Sequence, residues 1–130
     1  MSNRPARVQI VTDQLVILTA VSRAYRDKPV DIVTATNAGL AQEQLNVINF
    51  DLFLLDLDMK ERRSFELLAV MTERFPLVPM ILMTTGDAQS KEMITKIEAI
   101  RSDSVWHLLE KPFEYKKLVD FIASGLHGRQ

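Results

Sequence analysis

Short apolar runs recur along the chain, separated by longer stretches in which apolar residues return every three or four positions. The runs are Val8 to Val11, Asp51 to Leu57, Pro79 to Met83 and Val105 to Leu109, with Val30 to Thr34 a weaker member. Nearly continuous apolar character over so few residues suits strands covered on both faces. Between the runs, Leu18, Val21 and Tyr25 mark one helical stripe, and Phe65, Leu68, Met71 and Phe75 mark another. Met93, Ile97 and Ile100 form a third, and Leu118, Ile122 and Leu126 a fourth; each stripe is one buried helix face. Asn37 to Asn46 predicts a shorter helix, capped by Asn37 and turning Leu40 and Leu45 inward.

Alternation of strand and helix predicts an α/β fold, a doubly wound five-stranded parallel sheet with right-handed crossovers and helices on both faces. In such a sheet the functional crevice lies beyond the carboxyl ends of the strands, where strand order reverses. The chain has 130 residues, 47% hydrophobic and 25% charged. That predicts a single domain over residues 1–130, with a core from about Ala6 to Leu126 and loose ends at Met1 to Ala6 and Gly125 to Gln130.

Charge and cysteine content remove several classes of function. The 16 Lys and Arg nearly balance the 17 Asp and Glu, leaving a net charge of −1, which argues against direct nucleic-acid binding. With no cysteine there is no disulfide, thiolate nucleophile or cysteine-bound zinc. This fits a cytoplasmic protein. No apolar run reaches the ~18 residues of a bilayer span, so no membrane segment is expected, and the polar start with Asp13 and Gln14 close behind does not read as a signal peptide. Five methionines, Met59, Met71, Met80, Met83 and Met93, fall mostly on apolar positions and read as adaptable core filler.

The strand ends carry the chemistry. Thr12 and Asp13 follow the first strand, Asp56, Leu57 and Asp58 the third, Thr84 and Thr85 the fourth, and Lys111 with Pro112 the fifth. Carboxylates hold Mg²⁺, Lys and Thr bind phosphoryl oxygens, and a carboxylate can attack phosphorus. Taken singly, Asp13 and Asp56 read as loop or cap residues and Thr84 as a sheet residue. Together they describe a phosphoryl site. Asp56, behind Phe53 to Leu55, should be partly desolvated and must be answered by Lys111 or a cation. The site requires Asp56 to lie near Asp13 and Lys111 with an opening to solvent.

This pattern resembles the receiver domain of two-component response regulators, the flavodoxin-like module that accepts a phosphoryl group from a histidine kinase. The resemblance rests on L-L-D-L-D-M at Leu54 to Met59, I-L-M-T-T at Ile81 to Thr85 and E-K-P-F at Glu110 to Phe113. It implies that Asp56 is the phosphoacceptor, with Asp13, Asp56 and the Asp58 backbone carbonyl as Mg²⁺ ligands. It further implies that Thr84 hydrogen-bonds the phosphoryl group, that Lys111 pairs with it, and that Pro112 follows a cis bond. The implied partners are a histidine kinase or phosphotransfer protein and a downstream protein or output domain that the sequence does not identify. The implied role is a phosphorelay switch rather than a turnover enzyme.

Three departures from the family stand out. Thr12 replaces an acid that normally holds the ion through water. One charge at about 4 to 6 Å is worth ~2 to 4 kcal/mol at an effective dielectric of 20, so weaker Mg²⁺ binding follows. The loop from Met59 to Ser64 lacks the family's usual Pro and Gly, which alters its backbone freedom. Its Lys60, Arg62 and Arg63 read as a solvated face, with attraction of a phosphodonor domain as the alternative. Finally, Leu108 stands where receivers carry a switch aromatic, and its flanking residues Trp106 and His107 are assigned to the opposite face. Trp106 reads as core packing or a partner contact, His107 as structural. Tyr115, Leu118, Phe121 and Ile122 offer a possible docking or homodimer face.

Two other functions compete. A degenerate receiver would dock or dimerise without phosphorylation. A haloacid-dehalogenase-like phosphatase would use Asp56 and Asp58 as its D-x-D, but Lys60 replaces the Thr or Val expected there, two strand–helix units precede the motif, and no acidic pair follows Lys111 in a strand-end position.

Overall fold

The computed structural model describes residues 4–100 and 106–127. Strands and helices alternate as β1 (Ala6–Val11), α1 (Leu15–Ala24), β2 (Val30–Ala35), α2 (Ala38–Val47) and β3 (Leu52–Asp56). They continue as α3 (Ser64–Arg74), β4 (Met80–Thr84), α4 (Ala88–Ile100), β5 (Trp106–Glu110) and α5 (Tyr115–His127). The strands pair in parallel in the order β2-β1-β3-β4-β5. Strand order reverses at β1, so the carboxyl ends of β1 and β3 flank the crevice. This is the predicted flavodoxin-like α/β sheet.

Both faces of the inner strands β1, β3 and β4 are buried, which is why these strands are almost continuously apolar. Phe53 and Leu55 pack with α2, α3 and α4 residues such as Leu45, Leu68 and Ile97. Leu52 and Leu54, on the other face, pack with Ile17 and Val21 of α1 and Leu118 and Ile122 of α5. A two-residue period thus divides one apolar run between two cores. The described methionines follow suit: Met59, Met71, Met80 and Met83 are buried and Met93 is half-buried.

Buried Gln9 interrupts the apolar run of β1, and its amide finds partners in α2. Nε2 donates to the Ala41 carbonyl at 3.1 Å and to Gln44 Oε1 at 2.9 Å. Such pairing meets the requirement that buried polar groups be satisfied.

Three local expectations are revised. Asn37 caps α2 as predicted, its side chain accepting the Leu40 N–H at 2.8 Å. Leu40 itself is exposed, however, and the inward face is Ala38, Ala41 and Leu45, because 38, 41 and 45 follow the helical repeat. Ala6 is buried in β1 rather than loose, and Arg4 beyond it pairs with Asp51 at 3.0 Å. Gly125 lies within α5, where an added Cβ would come within 2.9 Å of Leu52 Cδ1; the absent side chain permits the close helix–sheet approach. The predicted start of β5 at Val105 lies outside the described residues.

His107 does point away from Leu108, its ring 5.4 Å from that of Phe121 on α5, while Leu108 packs against the opposite core. A period of two does not carry the same assignment to Trp106, two positions from Leu108; the Trp106 side chain lies outside the described residues. Of the proposed α5 face, Leu118 and Ile122 are wholly buried, Phe121 is half-buried against the core, and Tyr115 is exposed.

Candidate functional site

Parallel pairing aligns the strand ends from which the site is built. Val11 stands opposite Leu55, Asp56 opposite Met83, and Thr84 opposite Glu110. The residues at or just beyond these positions, Thr12, Asp56, Thr84 and Lys111, therefore meet on one rim.

Asp56 is the centre. Lys111 Nζ donates to its Oδ1 at 2.8 Å, the Asp58 N–H donates to the same oxygen at 2.8 Å, and the Thr12 hydroxyl donates to Oδ2 at 2.7 Å. A buried carboxylate is tolerated only with such pairing and hydrogen bonding. The Ser64 hydroxyl donates to the Asp56 carbonyl at 2.7 Å, tying the start of α3 to the end of β3. Asp13 stands at the rim, its Oδ2 accepting the Lys60 N–H at 2.9 Å.

The Thr84 hydroxyl accepts the Gly86 N–H at 2.9 Å and lies 3.4 Å from Asp58 Oδ1. Gly86 has φ +85, a turn conformation that glycine adopts without penalty. Asp58 Oδ2 accepts the Thr85 N–H at 2.7 Å and lies 3.4 Å from Lys111 Nζ. The Lys111 N–H donates to the Thr84 carbonyl at 2.9 Å, and the Lys111–Pro112 bond is cis. Beyond Gly86, Asp87 caps α4. Hydrogen bonding from Ser90, whose N–H lies 2.7 Å from Asp87 Oδ1, holds the Asp87 carboxyl below its ordinary value.

Asp13, Asp56, Thr84 and Lys111, far apart in sequence, thus gather at the carboxyl ends of four strands. Asp56 itself has 0% exposed surface, so the expected opening stands beside its carboxylate rather than at it. It ends a central strand, and Lys111, Thr12 and the Asp58 backbone take up its oxygens. Lys111 and Asp58 keep 10% and 16% side-chain exposure. A cavity of about 320 Å³ opens beside Lys111 and Thr85, lined also by Gln14, Ile17, Phe113 and Tyr115.

The response regulator receiver domain family model matches residues 8–123. The chain belongs to that family. Its curated relatives include the alginate biosynthesis transcriptional regulatory protein AlgB of Pseudomonas aeruginosa, 28% identical over 99% of this chain and 28% of the relative. The response regulator protein FleR of the same organism is 29% identical over 95% of this chain and 25% of its own length. The chain thus spans about a quarter of the length of these relatives. Among solved structures, the signal receiver domain of an HD domain-containing protein from Pseudomonas fluorescens superposes with a TM-score of 0.78 at 21% identity, covering 98% of this chain and 90% of that one. A CheY-like receiver domain protein from Methanospirillum hungatei gives 0.79 at 21% identity, covering 95% and 94%. These two likenesses establish the fold.

This receiver domain has three site features that reading the residues one by one does not reveal. Thr12 is a hydrogen-bond donor to Asp56 as well as a missing acid. Ser64 braces the Asp56 backbone. Glu61, in the loop after Asp58, accepts the Ala38 N–H at the start of α2, so the loop is anchored to a neighbouring helix. The only legible hint was a hydroxyl or acid at a strand or helix end, a common pattern with many meanings. Lys60, Arg62 and Arg63 are all exposed, as the solvated-face reading expects. None of the described helices is long and apolar enough to cross a membrane.

Proposed function

We propose that this receiver domain takes a phosphoryl group onto Asp56 from a phosphohistidine on a histidine kinase or phosphotransfer protein, in the cytoplasm, and thereby changes its contacts with a downstream partner. The observation that carries the proposal is the 2.8 Å pairing of Lys111 Nζ with Asp56 Oδ1 beside the hydroxyl of Thr84. A nucleophilic carboxylate, an ammonium and a hydroxyl then serve one transferring group.

In the transfer, an Asp56 oxygen attacks phosphorus, an O–P bond forms as the N–P bond to imidazole breaks, and the electron pair leaves with the imidazole nitrogen. Lys111 moves its contact from the carboxylate to a phosphoryl oxygen, and the Thr84 hydroxyl donates to another. Loss of carboxylate charge at Asp56 is offset by the charge of the new phosphoryl group, so Lys111 keeps an anionic partner throughout. The switch is as strong as the difference in these contacts between the two states.

No three His, Cys, Asp or Glu side chains converge as a metal cluster among the described residues. The donors available to a divalent ion are Asp13, Asp56 and the Asp58 carbonyl, an all-oxygen set that suits Mg²⁺, which retains several waters and needs only one or two carboxylates. When bound, Mg²⁺ would neutralise charge on the phosphoryl oxygens.

Mixing the protein with acetyl phosphate and Mg²⁺, followed by mass spectrometry, tests the reading. One phosphoryl group is expected on the wild type and none on Asp56→Ala; no gain on the wild type, or equal gain on the variant, rejects it. A second reading, a receiver that docks or dimerises without phosphorylation, draws on the closure of Asp56 and on Thr12. Calorimetric titration with Mg²⁺ separates them: saturation in the low millimolar range favours a working site and silence a docking platform.

A further inference from the structure

The proposed transfer uses only the backbone of Asp58, yet the Asp58 carboxylate is deeply engaged. It accepts the Thr85 N–H at 2.7 Å, faces the Thr84 hydroxyl at 3.4 Å and lies 3.4 Å from Lys111 Nζ. Three donors from the ends of β4 and β5 thus converge on one carboxylate, forming a cradle for a single anion. Two of them, Thr84 and Lys111, are the side chains assigned above to the phosphoryl group. Asp56 beside them has no exposed surface, whereas the Asp58 side chain retains 16%.

We propose that the Asp58 carboxylate is an internal anion that occupies the phosphoryl-binding donors of the resting chain and must leave them for Asp56 to be phosphorylated. This inference rests on the phosphoacceptor reading of Asp56. The carboxylate and an arriving phosphoryl group are both anions and require the same Thr84 and Lys111 donors, so they exclude each other by charge as well as by space. Departure of Asp58 needs only side-chain rotation, since its N–H can remain on Asp56 and its carbonyl is untouched. The resting chain consequently stores its cradle already formed, with the Thr84 hydroxyl turned toward the site before any phosphate arrives. The Asp58 carboxylate thereby tunes how readily the domain accepts a phosphoryl group.

Asp58→Asn keeps the volume and removes the charge, while Asp58→Ala removes the contacts; both keep the backbone carbonyl. With acetyl phosphate and Mg²⁺, both variants of this chain should label Asp56 faster than the wild type, on the order of tenfold, as expected for removing one like charge from the path of an anion. In protein without metal or phosphodonor, the Thr85 amide should exchange hydrogen several times faster in Asp58→Ala. Circular dichroism confirms that the variants fold. Labelling of wild-type Asp56 at a rate that neither substitution raises overturns the inference and leaves the phosphoacceptor reading standing. Faster labelling of both variants than of a wild type that itself labels supports both. Failure of all three folded proteins to label overturns both together, and unchanged Thr85 exchange in Asp58→Ala overturns the inference whatever the labelling.

Discussion

The Thr12 hydroxyl donates to Asp56 Oδ2 at 2.7 Å while accepting the Gln14 N–H, joining the end of β1 to the centre of the site. A threonine in place of an acid removes a charge and supplies a neutral donor to a buried carboxylate. Thr12→Val should therefore destabilise the fold by about 1 to 3 kcal/mol, the cost of leaving a buried acceptor short of a partner, as read from urea denaturation. Thr12→Asp should also lower stability without metal, because two carboxylates would share the rim, and should tighten Mg²⁺ binding in calorimetry.

Lys111 and Asp56 form a nearly buried ion pair, with 10% and 0% side-chain exposure. Removing the ammonium leaves Asp56 with hydrogen bonds but no compensating charge. Lys111→Met is expected to cost about 3 to 5 kcal/mol. Asp56→Asn should cost less, because Lys111 keeps Asp58 Oδ2 at 3.4 Å. Chemical denaturation of the two variants and their double mutant measures the coupling; equal losses from both single substitutions would contradict this ordering.

Arg62 has φ 55, the left-handed region, in the loop before α3. A side chain there strains the backbone, by roughly 1 to 2 kcal/mol for an L-residue, whereas glycine adopts the conformation freely. Arg62→Gly should raise stability by up to about 1 kcal/mol, the relief being reduced by the greater freedom of glycine in the unfolded chain. A thermal melt checks it. The 3.3 Å contact from Arg62 to Gln89 is exposed and weighs little against this.

Burial, and then the nearby Asp120 carboxylate, raise the pKa of Tyr25 above 10.0. The folded chain therefore favours the neutral phenol. Its stabilising contribution is fully present below pH 10 and is lost as pH rises through the folded value, at up to about 1.4 kcal/mol per pH unit. The stability difference between wild type and Tyr25→Phe should be constant well below pH 10 and should then move against the wild type. Below that range the substitution should be mild, since the hydroxyl contact to the Val119 carbonyl spans 3.4 Å. Denaturation in a pH series provides the comparison.

Much of this receiver domain is legible along the chain because apolar periodicity reports which faces must leave water. The apolar runs and helical stripes predict the alternating elements, and the strand-end rule locates Asp13, Asp56, Thr84 and Lys111. Leu40 escaped that logic: an apolar residue on a short helix can face either way, and only packing of Ala38, Ala41 and Leu45 decided the inward face. Thr12 and Ser64 escaped because one hydroxyl serves equally as cap, sheet residue or hydrogen-bond donor.

Residue order by itself determined the α/β alternation, the family and the rim on which the polar residues stand, since these follow from solvent exclusion and strand direction. Tertiary structure alone decided which donor meets which oxygen: that Thr12 bonds Asp56, that Lys111 lies between two carboxylates, and that Asp58 takes the Thr85 amide. Hydrophobic burial depends on area and is periodic along the chain. Hydrogen bonds and ion pairs depend on ångström-scale distance and direction between segments far apart in sequence, and only packing sets those.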